Sequence, residues 1–168
     1  MADGGEVTPF AQDTARAYRD ALGRFATGVT VITAQGPNGP LGFTANSFAS
    51  VSIDPRLVLW SPAKTSGRFG VFSTATHYAI HVLADHQRDL CQRFAKGDAG
   101  FADLAHGVNA QGVPILADVL ARFDCVQHAT HDGGDHLIVV GRVLSFELSP
   151  GTPLLFSQGR LCLVASDT

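Results

Sequence analysis

Two short polar stretches hold side chains that are suited to bind a ligand. GFTANSFASVS, at residues 42–52, lies between two β-like runs and contains no carboxylate, histidine or cysteine. Its hydroxyl and amide side chains belong to Thr44, Asn46, Ser47, Ser50 and Ser52. SPAKTSGR follows at residues 61–68, where Lys64 adds a cation and Thr65 and Ser66 add hydroxyl groups.

These stretches allow two interpretations. If a helix begins near Lys64, its N-terminus favours an anion, and a phosphate would suit that position. The glycines and small side chains of residues 42–52 would also let a ligand approach the backbone. Alternatively, Ser, Thr and Asn are common turn residues that hydrogen-bond their own backbone. The residues by themselves favour the turn and leave the ligand site as the alternative.

A histidine-rich stretch, HATHDGGDH at residues 128–136, raises the question of a metal site. Its spacing matches neither H-E-x-x-H nor a facial triad, and Asp and Gly are turn residues in their own right. We therefore expect no metal site. A single functional histidine is favoured instead, because His136 begins the last long strand and could donate a hydrogen bond to a substrate amide or ribose.

Other candidate residues have simpler interpretations. His77 and His81 are four apart on a probable strand and share a face, which is typical of ordinary histidines near a surface. Phe94, on a probable helix, is expected in the core rather than against a ligand. There is no G-x-S-x-G, no dinucleotide-binding G-x-G-x-x-G and no phosphate-binding G-x-x-x-x-G-K-[ST], so hydrolase and Rossmann-type functions have no support.

Composition narrows the class of protein further. The formal net charge is −3 and no block of like charge occurs, so we expect neither nucleic acid nor a membrane surface as a partner. The three cysteines are far apart and form no C-x-x-C, which fits a reducing compartment. There is no signal-like N-terminus and no long apolar run, so we expect a cytoplasmic protein.

Periodicity and turn residues predict the elements that must position these side chains. Residues 13–28 are predicted to hold a helix capped by Asp13, with a short second helix in residues 64–75 and a third over 85–97, capped by Asp85 and ended by Gly97. β-Branched runs predict strands at 29–33, 41–45, 56–60 and 77–83. Two long strands, at 118–130 and 136–148, are predicted to form a hairpin about residues 132–135.

The strands are not separated regularly by helices, which disfavours a doubly wound sheet. About seven strands and two or three short helices predict a mainly β protein built as an antiparallel barrel. We expect a flexible leader at residues 1–10 and a single domain over residues 11–168.

The chain resembles the flavin reductase-like family, whose fold is the FMN-binding split barrel. The resemblance runs from about Tyr18 to about Val164 and rests on an ordered series of segments. They are FATGVTVITA, GFTANSFASVSIDPRLVL, QRFA, GGDHLIVVGRV and PLLFSQGR. Each segment alone is weakly specific, whereas their order and spacing together are specific.

The resemblance implies a homodimer that reduces FMN or FAD with NADH or NADPH, in many members to supply a separate monooxygenase. It places Thr44, Ala45, Asn46 and Ser47 along the flavin, and Ser50, Val51 and Ser52 at the ring or its polar edge. It places Lys64, Thr65 and Ser66 at the flavin phosphate, and Ser61 is expected to bind the cofactor as well. It also places Phe94 near the flavin and His136 at the nicotinamide nucleotide.

One segment departs from the family pattern. Trp60 and Pro62 are unusual there, and Lys64 stands where many relatives carry an arginine, so the charge is kept but the planar fork is lost. The implied chemistry still fits, because cofactors that react with one another need a protein only to stack, order and tune them. The alternatives are a flavoprotein of the same fold that keeps its FMN and acts on another substrate, and a flavin or heme carrier without turnover.

Overall fold

The computed structural model describes residues 14–97 and 99–164, with only the backbone of Ala99. The leader at residues 1–10 and the side chain of Asp13 lie outside these ranges. The helices are α1 (Ala15–Leu22), α2 (Phe69–Thr74) and α3 (Arg88–Ala95), with a 3₁₀ turn at Ala99–Phe101. Thus the short helix predicted after residue 64 is confirmed, although it begins at Phe69.

Twelve β segments make up most of the regular secondary structure in the described residues. They are β1 (Thr27–Gly28), β2 (Thr30–Gly36), β3 (Gly39–Ala45), β4 (Ala49–Ser52), β5 (Leu57–Trp60), β6 (His77–Val82), β7 (Gly107–Val108), β8 (Pro114–Ile115), β9 (Ala121–Gly133), β10 (His136–Leu148), β11 (Leu155–Ser157) and β12 (Arg160–Cys162). The predicted strands and the hairpin between β9 and β10 are confirmed. The hairpin turns at Gly134, whose φ of 76° is one that glycine adopts readily.

The main sheet is antiparallel and has seven strands, in the order β3-β2-β6-β9-β10-β5-β4. Phe43 on β3 and Trp60 on β5 have ring centroids 5.9 Å apart, although four strands lie between them in the sheet order. The sheet therefore curls until its two ends share one core. This confirms the mainly β, antiparallel split barrel with three flanking helices.

Alternation along β2 divides the interior into two cores. Ile32 packs inside the barrel with Trp60 and Phe72, all without exposed surface. Val31 points the other way and packs with Leu83 and Phe94 under α3. Successive side chains of a strand face opposite sides, so one buried strand serves both cores.

Both predicted helix caps are corrected by the structure. The N-cap of α1 is Thr14, whose hydroxyl accepts the Ala17 N–H at 3.2 Å. The N-cap of α3 is Gln87, two residues after Asp85, and its side chain instead accepts the Ala84 N–H at 3.0 Å. Gly97 follows α3 with a φ of 68°, which agrees with its predicted role in ending the helix.

His81 is a second correction, because its side chain has no exposed surface. Nδ1 lies 3.0 Å from Val31 O, and Nε2 accepts the Leu116 N–H at 3.2 Å, so the ring joins two strands and the loop after β8. Burial lowers the pKa of His81 to about 4. The sequence pattern placed it near the surface; the structure shows a neutral core histidine.

Within the described residues, no helix combines the length and the apolar character needed to span a membrane.

Candidate functional site

The polar linker between β3 and β4 is tied to the end of β5. The Ser61 N–H donates to Ser47 Oγ at 2.9 Å, and the Ser47 hydroxyl lies 3.4 Å from Ser61 O. This pairing continues the register in which Ala49 lies opposite Leu59. Two residues named from separate sequence stretches are therefore in direct contact.

The segment after Ser61 is held on its other side by the β9–β10 hairpin. Leu137 N–H donates to Pro62 O at 3.1 Å, and Lys64 N–H donates to Asp135 O at 2.9 Å. A β-bridge joins Ala63 to His136 between these two bonds. The linker, residues 61–64 and the hairpin tip thus form one continuous edge. We call Asn46, Ser47, Ser61, Lys64 and His136 the polar rim.

Lys64 and His136 of the polar rim each already have a carboxylate partner. Lys64 Nζ contacts the Asp132 carboxylate and donates to Gly134 O at 2.6 Å. His136 Nδ1 lies 2.7 Å from Asp135 Oδ1. The hydrogen bond from Lys64 lowers the pKa of Asp132, and the hydrogen bond from His136 lowers the pKa of Asp135. Both carboxylates are exposed, so these pairs lie in contact with water.

Two of the predicted flavin-binding residues within residues 42–47 use their polar groups for hydrogen bonds inside the fold. The Thr44 hydroxyl donates to Cys91 O at 2.7 Å, which ties β3 to α3. Ala45 is buried, and its carbonyl accepts the Thr30 hydroxyl at 2.7 Å. Asn46 differs, because its side chain is exposed and has no hydrogen-bond partner in the described part of the chain. It is the amide of this stretch that is available to a ligand.

Residues 64–66 form a turn rather than the start of a helix. The Ser66 N–H donates to Ala63 O at 3.1 Å, and Ser66 Oγ accepts the Arg68 N–H at 3.3 Å. Helix α2 begins only at Phe69. The expected helix N-terminus at Lys64 is therefore wrong, and a phosphate there would depend on the Lys64 ammonium and the exposed Thr65 rather than on a helix dipole.

Ser50, Val51 and Ser52 do not join the polar rim. They lie on β4 beyond Ala49, and the strand runs away from Ser61 along β5. Ser50 and Ser52 line an apolar groove of about 420 Å³ together with Phe48, Phe123 and Phe146. Their surroundings are thus aromatic, and they are separated from the charged tip of the hairpin.

Phe94 is a core residue. Its side chain has no exposed surface, and its ring lies 4.9 Å from that of Phe101, between centroids. A Cβ built on Gly42 would lie 2.2 Å from the Phe94 ring, so the ring fills the space above a glycine. The role in flavin contact implied by the resemblance does not fit this packing, whereas the core position expected from the residues does.

Arg68 is a structural residue that sequence reasoning missed. It is 9% exposed, and Nη1 donates to Gly42 O at 2.7 Å and to Phe94 O at 2.8 Å. Its guanidinium also lies 4.9 Å from the centre of the Phe43 ring. The only signal in the sequence was a cation beside an apolar run, which did not distinguish a buried arginine from an exposed one.

A second groove is also lined by Asn46. It has a volume of about 520 Å³ and lies between α1 and the β11–β12 turn. Arg19, Arg24, Phe25 and Phe156 line it together with Asn46. Arginine and aromatic side chains around an open amide suit a planar, hydrogen-bonding ligand.

The histidine-rich stretch does not assemble a metal site in the described residues, where no group of three or more His, Cys, Asp or Glu side chains converges. Instead, the polar rim offers neutral donors, one ammonium and one histidine. No nucleophile is paired with a base there. Such a donor set fits a cofactor with a polar ring and a phosphate, which brings its own chemistry.

Comparisons with known proteins identify relatives that cover most of this chain. The model of the flavin reductase like domain matches residues 22–165. The chain is 54% identical over 147 residues to FMN reductase (NADH) SmoA of Agrobacterium fabrum, covering 88% of this chain and 84% of that protein. It is 48% identical over 133 residues to the reductase component of a flavin-dependent trigonelline monooxygenase of Acinetobacter baylyi, covering 78% of this chain but only 43% of that protein.

A solved structure shows the same fold. NADH:FAD oxidoreductase SgcE6 of Streptomyces globisporus superposes with a TM-score of 0.89 at 32% sequence identity, covering 97% of this chain and 99% of that one. The likeness therefore extends over nearly the whole length of both chains.

Proposed function

Because this chain belongs to the flavin reductase like domain family, we propose that it reduces FMN or FAD by hydride transfer from NADH or NADPH. The observation that carries the proposal is the polar rim. It joins the available Asn46 amide and Ser61 hydroxyl to one ammonium and one accessible histidine on a single edge of the barrel. The names of SmoA and SgcE6 support the same activity.

The residues of the rim fit a flavin. Bound flavin and nicotinamide supply the hydride chemistry, so the protein needs only to hold and orient them. The Asn46 amide and the Ser61 hydroxyl are available to the polar edge of the ring, and Ser47 fixes the spacing between them through its bond to Ser61. Neutral donors of this kind stabilise negative charge that develops on a ring.

Lys64 is the residue assigned to the flavin phosphate, with Thr65 and Ser66 beside it. Its ammonium is exposed enough to reach a ligand, with 37% of the side chain accessible. It acts as a point charge, since an ammonium lacks the bidentate geometry of arginine.

His136 is assigned to the nicotinamide nucleotide. Asp135 lies at Nδ1, so a proton at Nδ1 donates to the carboxylate and Nε2 is left for a ligand. The side chain is 44% accessible, which permits a second, larger cofactor to approach.

We further propose a homodimer. Helix α1 buries none of its residues, and Tyr18, Leu22 and Phe25 are 58%, 56% and 79% exposed. Ile53 and Leu148 are 86% and 73% exposed beside the apolar groove of β4. Apolar surface of this extent is typical of association, and a second copy would cover it. Light scattering after gel filtration should give twice the mass of the chain.

A partner monooxygenase that receives the reduced flavin is also part of the proposal. The trigonelline enzyme's reductase component, a relative at 48% identity, supports it. The buried free thiols of Cys91 and Cys125 are compatible with a cytoplasmic location, which we propose as well.

The test is oxidation of NADH and NADPH by purified protein with FMN, FAD or riboflavin as acceptor. We expect a flavin-dependent rate well above the background reaction, and its absence would contradict the proposal. A yellow protein that survives desalting but reduces free flavin slowly would favour a tightly held cofactor. Binding of a chromophore without nucleotide oxidation would favour a carrier.

A further inference from the structure

The Lys64 ammonium is already engaged by the hairpin tip. Two of its contacts are the Asp132 carboxylate and Gly134 O. An ammonium has three N–H donors, so one donor remains for a further acceptor. Any anion that binds Lys64 therefore meets an ammonium that already contacts a carboxylate.

The carboxylate and a flavin phosphate carry the same sign of charge. A phosphate monoester holds about −1.5 to −2 charges at neutral pH. Asp132 stays ionised there, because the hydrogen bond from Lys64 lowers its pKa. Two anions at one ammonium repel each other, so closer contact with one weakens contact with the other.

We propose that Asp132 is a specificity-determining residue, which competes with the flavin phosphate for the Lys64 ammonium and so disfavours FMN relative to riboflavin. The inference rests on the proposed binding of flavin at the polar rim. An unfavourable contact built against one ligand is an ordinary source of discrimination.

The backbone makes this competition possible without unfolding the site. Lys64 N–H donates to Asp135 O at 2.9 Å, and Ala63 forms a β-bridge with His136. These main-chain contacts hold residues 63 and 64 on the hairpin whichever anion the side chain meets. The ammonium can turn from Asp132 to a phosphate while its backbone stays in place.

The test uses dissociation constants of FMN and riboflavin, measured by flavin fluorescence without nucleotide. Asp132→Asn keeps the size of the side chain and removes its charge. We expect it to lower the dissociation constant of FMN about two- to fivefold, the range typical of an exposed ion pair. The dissociation constant of riboflavin should stay unchanged. Glu147→Gln is the matched control, because Glu147 pairs with Arg122 at the far end of the same hairpin.

Lys64→Ala completes a double-mutant cycle. It should weaken the binding of FMN more than that of riboflavin. Asp132→Asn should have no further effect on either affinity in the Lys64→Ala background. An unchanged ratio of FMN to riboflavin affinity in Asp132→Asn would overturn the inference. The inference would also be overturned if Asp132→Asn changed this ratio equally in the wild-type and Lys64→Ala backgrounds. Asp132 would then act on the phosphate by direct repulsion.

The cycle also separates this inference from the proposed function. If the wild-type protein neither binds flavin nor oxidises NADH or NADPH with it, the proposed function fails and the inference falls with it. If the wild-type protein reduces flavin but the affinity ratio does not respond to Asp132→Asn, only the role of Asp132 is contradicted.

Discussion

The backbone of Ser61 is hydrogen-bonded to the side chain of Ser47, because the Ser61 N–H donates to Ser47 Oγ at 2.9 Å. The bond fixes the linker that follows β3 against the end of β5. It therefore sets the distance from Asn46 to Lys64, the two groups assigned to opposite ends of the flavin.

Ser47→Ala removes this bond. We expect a loss of about 1 kcal/mol in the free energy of unfolding, because the half-buried Ser61 N–H loses its acceptor. The flavin dissociation constant should rise about fivefold, since the linker must then be ordered on binding. Urea unfolding and flavin fluorescence give the two values.

Two variants sharpen this test. Ser47→Thr keeps the hydroxyl and should bind flavin nearly as the wild type does. Ser73→Ala removes a hydroxyl whose exposed bond to Gly70 O lies within α2, and should change neither value. Normal flavin affinity in Ser47→Ala would show that the linker does not need this bond.

His136→Ala addresses the nicotinamide nucleotide. We expect KM for NADH or NADPH to rise about tenfold, as for loss of one hydrogen bond to a ligand, while the flavin dissociation constant changes little. Steady-state kinetics and flavin titration measure the two effects. His131→Ala, on the exposed part of the same hairpin, is the control; an equal loss of flavin affinity in His136→Ala would place His136 in the flavin site.

Gly42→Ala tests how closely β3 packs against α3. The added Cβ would lie 2.2 Å from the fully buried Phe94 ring, which is also confined by Gly100. We expect a loss of about 1–3 kcal/mol in the free energy of unfolding, typical of overpacking. Gly70→Ala, with no atom near the new methyl group in helix α2, should stabilise by about 0.5–1 kcal/mol. A Gly42→Ala variant as stable as wild type would mean that Phe94 moves freely.

The strands and the long hairpin were predictable because their signals are local. β-Branched runs at residues 29–33 and 77–83 and the Asp-Gly-Gly-Asp turn act within a few residues, and each falls where expected. The order of the sheet and the contact of Ser47 with Ser61 were not predictable from local pattern, because they depend on how the sheet curls. The residues alone left the polar stretches as a turn or a ligand site, and the resemblance favoured the ligand site.

The failures have a common cause. The burial of His81 depends on residues that are distant in the chain, since the Leu116 N–H that it accepts lies 35 positions away. The N-caps of α1 and α3, Thr14 and Gln87, depend on which of the nearby polar residues takes the cap position. Sequence spacing marks such a position only within a few residues.

His81 makes the stability of the fold depend on pH. Its pKa is about 4 in the folded protein because burial disfavours the charged form, against about 6.5 when unfolded. Above pH 6.5 neither state holds the proton. As the pH falls from 6.5 to 4 only the unfolded state takes it up, so stability falls by roughly 3 kcal/mol from this group. Arg122 and Asp124 face the ring and contribute with opposite signs.

His81→Gln isolates this contribution. An amide can still donate to Val31 O and accept the Leu116 N–H, but it does not titrate. We expect urea unfolding at a series of pH values to show a flatter loss of stability in His81→Gln than in wild type between pH 6.5 and 4. The two curves should run parallel above pH 7. Parallel curves over the whole range would mean that His81 is protonated equally in both states, contrary to its burial.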